Sequence, residues 1–290
     1  MANRAELLLP PKHLASCIAA GIFRDTRGVE LGDRDRLNYF PATPLYAVTI
    51  VFEGQLHTAS QIMTLESMQK LPPSPSVFAM SPQSTPVMSW SPGPVAALTV
   101  GFYPDAWIRL FSDQSLEQPL IPVPASLLAQ LAPLQSGTLQ SATQAMATDK
   151  IWNRICDALA HPWQLSRHQG GWTDWAGSDR LKDWTRHMAS RMVLNGQGKS
   201  LRTIERRFRR WTGQSRQSLE FFAKIEELHR LRIEDPEAPL SHLASDARFS
   251  DQAHMGRALK RATGFSPAEL NRKIADEEAF WCYRLMGERF

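Results

Sequence analysis

The chain has 290 residues, 43% hydrophobic and 21% charged, which is enough apolar material for one large domain or two ordinary ones. No apolar run nears the roughly 20 residues of a membrane span, and MANRAELLLPPKHLASC offers only three leucines before two prolines, too short for a secretory signal, so a cytoplasmic protein without a membrane partner is expected. The net charge of +4 is uneven, with 11 Lys/Arg against 13 Asp/Glu from Met1 to Gly177 and 22 against 16 from Ser178 to Phe290, which turns the second half toward a polyanion.

In chain order, the first half reads as β-rich. LYAVTIVFEGQL (Leu45–Leu56) sets β-branched and aromatic residues around a Glu53-Gly54 turn. SVFAMSP, TPVMSWSPGP and VAALTVGFY follow, broken by Pro82, Pro86, Pro92 and Pro94, as in a sandwich or small barrel. Pro104 is placed to start a helix over DAWIRLF. Trp90, Phe102, Tyr103 and Trp107 cluster where strands give way to that helix. They are candidates for an effector pocket, with core packing as the competing reading.

From Pro124 the period changes. Leu127, Leu131 and Leu134, then Ile151, Ile155 and Leu159, fall at helical spacing. These helices suit a linker, a dimer seam or simple packing on the β-rich part. The expected division is therefore 1–123 β-rich effector or sensor domain, 124–177 helical linker or dimerisation segment, and 178–290 helical domain.

The basic half contains a repeat. Shifted by 51 positions, SLRTIERRFRRWTGQSR (Ser200–Arg216) lies over DQAHMGRALKRATGFSP (Asp251–Pro267). Ser200 and Asp251 align as helix N-caps, Ile204 and Phe208 align with Met255 and Leu259 as a buried stripe, and Gly213 aligns with Gly264 as a helix stop. Each copy follows another helix, LKDWTRHMASRMVL in the first case and PLSHLASDARF in the second. A helix, a turn and a capped basic helix form a helix-turn-helix unit, whose second helix enters the major groove. Between the copies, Leu219, Phe222, Ile225 and Leu228 recur every three residues on a connecting helix.

The text HLASDARFSDQAHMGRALKRATGFSPAEL resembles the DNA-binding domain of the AraC/XylS family of transcription regulators, and the resemblance covers about Leu181–Ile274. It implies an α+β chain, with a β-rich, cupin- or jelly-roll-like N-terminal domain before an all-α domain of two helix-turn-helix units. It implies base contacts from Arg202, Glu205 and Arg206 in the first unit and from Gln252, Ala253, His254 and Arg257 in the second. Arginine suits guanine, glutamine suits adenine, glutamate accepts from cytosine, and alanine meets a thymine methyl. Arg209, Arg210, Lys260 and Arg261, nearer the helix ends, are the phosphate candidates. Double-stranded DNA is the expected partner. A small-molecule effector, a second copy of the chain and, for an activator, RNA polymerase complete the set.

The sequence departs from the family pattern in places. The turn LNGQGKS ahead of the first recognition helix is long, Arg216 replaces a proline, Gly256 interrupts the second recognition helix, and Leu259 replaces a phenylalanine. Arg248 stands where the turn usually has glycine, so a positive φ there would be strained.

No enzyme is expected. GxSxG, HExxH, P-loop and GxGxxG motifs are absent, only His13 and His57 precede residue 150, and the three cysteines, Cys17, Cys156 and Cys282, are isolated. Accordingly no catalytic residue, metal ligand or cofactor is expected. Two alternatives stay open, a sensor or interaction module with degenerate DNA binding and a cupin-type enzyme.

Overall fold

The N-terminal strands carry their bulky side chains on alternate positions, and this alternation builds a sheet with one heavily packed face. The computed structural model describes residues 4–111, 119–135, 144–168, 181–195 and 200–287. The β-rich part runs through β1 (Arg4–Leu8), β2 (Ile18–Asp25), β3 (Leu37–Phe40), β4 (Tyr46–Glu53) and β5 (His57–Ala59). It continues through helix α1 (Leu65–Gln69), β6 (Val77–Met80), β7 (Val87–Trp90), β8 (Ala96–Phe102), helix α2 (Pro104–Phe111) and β9 (Leu120–Ile121). Six strands form one sheet in the order β1-β2-β8-β4-β6-β9, and three form a second in the order β3-β7-β5. Every pairing is antiparallel. Tyr46, Val48 and Ile50 from β4 and Leu98, Val100 and Phe102 from β8 pack into the common core.

The turn expected at Glu53-Gly54 is present, with Gly54 at φ 84°, but the strands on either side of it, β4 and β5, lie in different sheets, and the strands bounded by prolines appear as β6, β7 and β8. The strands β1, β2, β3 and β9 have no counterpart among the expected strands. Ala19, Ala20 and Gly21 give β2 a weak strand signature, yet β2 lies between β1 and β8 in the larger sheet.

Helices α3 (Ala125–Gln135) and α4 (Gln144–His168) follow. Ile151, Ile155 and Leu159 of α4 are buried in the same core as the sheet. Trp152 donates its indole N–H to the Leu9 carbonyl at 3.0 Å. A Cβ on Gly21 would stand 2.6 Å from the Trp152 ring, so the close approach of helix to sheet depends on that glycine. The α4 stripe is thus used within the chain itself.

The remaining helices are α5 (Leu181–Asn195), α6 (Leu201–Thr212), α7 (Arg216–Glu234), α8 (Leu240–Asp246), α9 (Gln252–Thr263), α10 (Pro267–Asp276) and α11 (Trp281–Gly287). None of the described helices is long and apolar enough to cross a membrane.

The helical part is docked on the β-rich part at several points. Trp184 of α5 donates to Asp105 at 2.9 Å and stacks against Tyr103. The tail returns to the sheets: Trp281, Cys282 and Leu285 pack with Ala5, Leu7, Ile22 and Phe40. Arg24 pairs with Glu278 at 2.6 Å and lies 4.6 Å over the Trp281 ring. Burial pulls the Arg24 guanidinium below its ordinary value, and the bond to Glu278 opposes that pull. Tyr39 stacks on Phe280 at 4.6 Å. All three cysteines are free and buried, and burial pushes Cys156 and Cys282 each up to about 12.

Candidate nucleic-acid interface

The two basic helices repeat one construction. Ser200 caps α6 by accepting from the Thr203 amide at 3.4 Å, and Asp251 caps α9 by accepting from the His254 amide at 2.6 Å. Gly213 ends α6 at φ 69° and Gly264 ends α9 at φ 87°, left-handed positions that cost glycine little. The likeness extends to side chains. Thr212 donates to the Phe208 carbonyl and accepts from the Gln214 amide, while Thr263 donates to Leu259 and accepts from Phe265. Ser215 and Ser266 then cap the next helices, α7 and α10. A shift of 51 positions therefore superposes cap, stop, threonine bracket and next cap.

Each helix buries one stripe and leaves the rest in solvent. Phe208 and Thr212 are buried in α6, and Met255, Ala258 and Ala262 in α9. Ile204 and Leu259 are partly buried against the same packing. On the other side Arg202, Glu205, Arg206, Arg209 and Arg210 are exposed along α6. Gln252, Ala253, His254, Arg257, Lys260 and Arg261 are exposed along α9. Arg261 is partly engaged, lying 4.8 Å over the Phe221 ring of α7. Each row comes from one helix face, as the spacing required. The joining helix α7 has 19 residues, about 28 Å at 1.5 Å each. Leu219, Phe222, Ile225 and Leu228 are its buried side.

Before α9, the chain leaves α8 and turns through Arg248 at φ 61°, the one non-glycine positive φ among the described residues. The strain anticipated for an arginine at this position is present. The amide of Phe249 closes the turn on the Ala244 carbonyl at 2.8 Å. Arg248→Gly should raise stability by about 1 kcal/mol, since a left-handed conformation costs other residues roughly 1–2 kcal/mol and the freer unfolded chain returns part of it. Urea denaturation measures this, and a loss of stability would contradict it. The long turn before α6 includes residues 196–199, which lie outside the described residues.

Ser250 escapes a reading from the sequence. Its exposed hydroxyl bonds Asp251 at 3.1 Å and the His254 ring at 2.9 Å. The only hint is a serine four residues ahead of a histidine at a helix start. The bonds to the His254 amide and the Ser250 hydroxyl hold the Asp251 carboxylate below its usual range.

The aromatic effector candidates fall in two places among the described residues, and in both they are packed into a buried cluster. Trp107 is fully buried and stacks on Tyr46 at 4.9 Å, with Phe102 edge-on at 5.5 Å. Tyr103 is buried beneath Trp184. Trp90 sits in a separate cluster with Met88 and Phe280, its indole N–H on the Asp33 carbonyl. Large rings near the strand-to-helix transition bury more area as core than as pocket wall. A cleft of about 400 Å³ lies elsewhere, walled by Thr58, Ser60, Gln61, Met63, Leu71 and Met80 among others.

Comparison with known proteins places a helix-turn-helix domain family over residues 196–273. No curated protein matches the chain by sequence. Among solved structures, ToxT from Vibrio cholerae O395 is 9% identical with a TM-score of 0.38, covering 83% of this chain and 95% of its own. Unsaturated fatty acid bound ToxT from strain SCE256 is 11% identical with a TM-score of 0.32, covering 81% and 93%. The AraC-like transcriptional activator CuxR is 13% identical with a TM-score of 0.27, covering 90% and 100%.

Proposed function

We propose that this chain, which carries a tandem helix-turn-helix domain of the AraC/XylS family, is a sequence-specific, DNA-binding transcription regulator. The observation that carries this reading is the duplicated, capped basic helix with one buried stripe and one exposed polar row. Arg202, Glu205 and Arg206 read bases in one major groove, and Gln252, His254 and Arg257 read them in the next, with Ala253 against a thymine methyl or leaving space. Arg209, Arg210 and Lys260 neutralise phosphates, while Arg261 divides its charge between the duplex and Phe221. A rod of about 28 Å between the units suits successive grooves one turn apart, roughly 34 Å.

The β-rich part is the regulatory half in this reading. The Ala42 amide donates to the Ala262 carbonyl at 2.7 Å, at the end of α9. Gln214, just past α6, donates to the Pro44 carbonyl at 2.9 Å. One short segment, residues 42–44, therefore touches the ends of both proposed recognition helices. A small molecule that moved this segment would change how the two helices are held. The non-enzymatic reading goes with this assignment, as does a cytoplasmic location.

Selection of duplexes from a random pool by the full chain tests the proposal. The expected product is a motif of two adjacent half-sites about one helical turn apart. Recovery of unrelated sequences with equal affinity would favour instead an interaction module with degenerate DNA binding.

A further inference from the structure

From the hydrogen bonds at the start of α9, we infer that Ser250 fixes His254 as a hydrogen-bond acceptor toward DNA, so that this residue selects a base offering an exocyclic amine in the major groove, adenine or cytosine. The inference rests on the proposal above that α9 enters that groove, and adds which chemical group one of its positions recognises.

The Asp251 carboxylate accepts the His254 amide on Oδ1 at 2.6 Å and faces the Ser250 hydroxyl with Oδ2 at 3.1 Å. These two bonds favour its ionised form, and an ionised carboxylate has no hydrogen to give. The single hydroxyl proton of Ser250 therefore goes to Asp251. The same Ser250 oxygen stands 2.9 Å from Nδ1 of His254. With its proton committed, that oxygen offers only lone pairs, so Nδ1 must carry the ring hydrogen. In a neutral imidazole the other nitrogen, Nε2, then keeps its lone pair.

The ring is also held in orientation. Phe249 meets it edge-on, with centroids 5.4 Å apart and planes at 86°. Lys224 of α7 in turn lies 5.3 Å over the Phe249 ring. His254 is exposed, and Nε2 is the ring nitrogen that Ser250 leaves unused. An acceptor there pairs with N6–H of adenine or N4–H of cytosine. It finds only acceptors on the guanine edge, and an acceptor and a methyl on thymine. The serine acts through the histidine and is a positioning residue.

Two measurements on the full chain at pH 8 test this. Long-range proton–nitrogen correlation of ring-labelled histidines, with His254→Asn assigning the signal, should show hydrogen on Nδ1 of His254. Ser250→Ala should move it toward Nε2, and Ser250→Thr, which keeps the hydroxyl, should not. Hydrogen on Nε2 in the unaltered protein overturns the inference. In duplex competition, one operator position should favour adenine or cytosine over guanine by at least about fivefold, and both His254→Ala and Ser250→Ala should erase that preference. A guanine preference there, or a preference unmoved by either change while other positions stay selective, defeats the inference alone. Absence of selectivity at every position defeats the DNA-reading proposal and this inference with it.

Discussion

Trp281→Ala should lower the free energy of unfolding by about 3–5 kcal/mol, the range for truncating a large buried aromatic side chain. Trp281 is 5% exposed and lies at the far end of the helical part, where it packs with Cys282 and Leu285 of its own helix and reaches across to the β-rich part. Phe40 meets it edge-on, Arg24 covers its face, and Asn38 accepts its indole N–H at 2.7 Å. Alanine would remove the packing, leave a cavity, and strip the buried Asn38 oxygen of its donor. Trp281→Phe separates these losses. The ring would largely remain, so the expected cost falls to about 1–3 kcal/mol, the penalty for a buried polar group left without its partner. Urea denaturation followed by circular dichroism reads both values. If alanine cost less than about 1 kcal/mol, the tail would not be the clasp between the two parts that the contacts indicate.

That clasp was illegible in the sequence. Trp281 bonds a residue 243 positions away, and no local pattern encodes such a partner. The same holds for the segment 42–44, whose proline and alanine give no sign that they touch two helices far along the chain. Strand β2 was missed for another reason. Its small residues and its buried Arg24 and Asp25 imitate a loop, because the charge on Arg24 is met by Glu278 and that on Asp25 by Arg27 at 2.8 Å. By contrast, α6 and α9 were readable almost to the residue. Their caps, stripes and stops are local features, and each copy serves as a check on the other. Arg248 was readable only through the family resemblance, which puts a glycine at that place in the turn. The site followed this division. The exposed rows follow from helical period alone, whereas the hydrogen bonds that orient His254 depend on geometry around a capping turn.

The exposed row of α6 makes a prediction that separates reading from holding. Arg206→Ala should weaken binding to the selected operator by about 1–3 kcal/mol, roughly 5- to 150-fold, with little effect on random duplex. Arg206 is exposed, between the Ser200 cap and the basic end of the helix, on the face opposite the buried Phe208. A guanidinium there can pair with guanine in two hydrogen bonds, which alanine cannot replace. Arg209 and Arg210 lie in the last turn, where a cation can reach the backbone but not the base edges. Each of their alanine variants should weaken operator and random duplex alike. Each should also flatten the dependence of log affinity on log salt by about 0.9, because one fewer counterion is displaced. Titrations of all three variants on both duplexes across a salt series give the comparison. Equal losses on the two duplexes for Arg206→Ala would move that residue into the phosphate group and leave Arg202 and Glu205 as the base readers of the first unit.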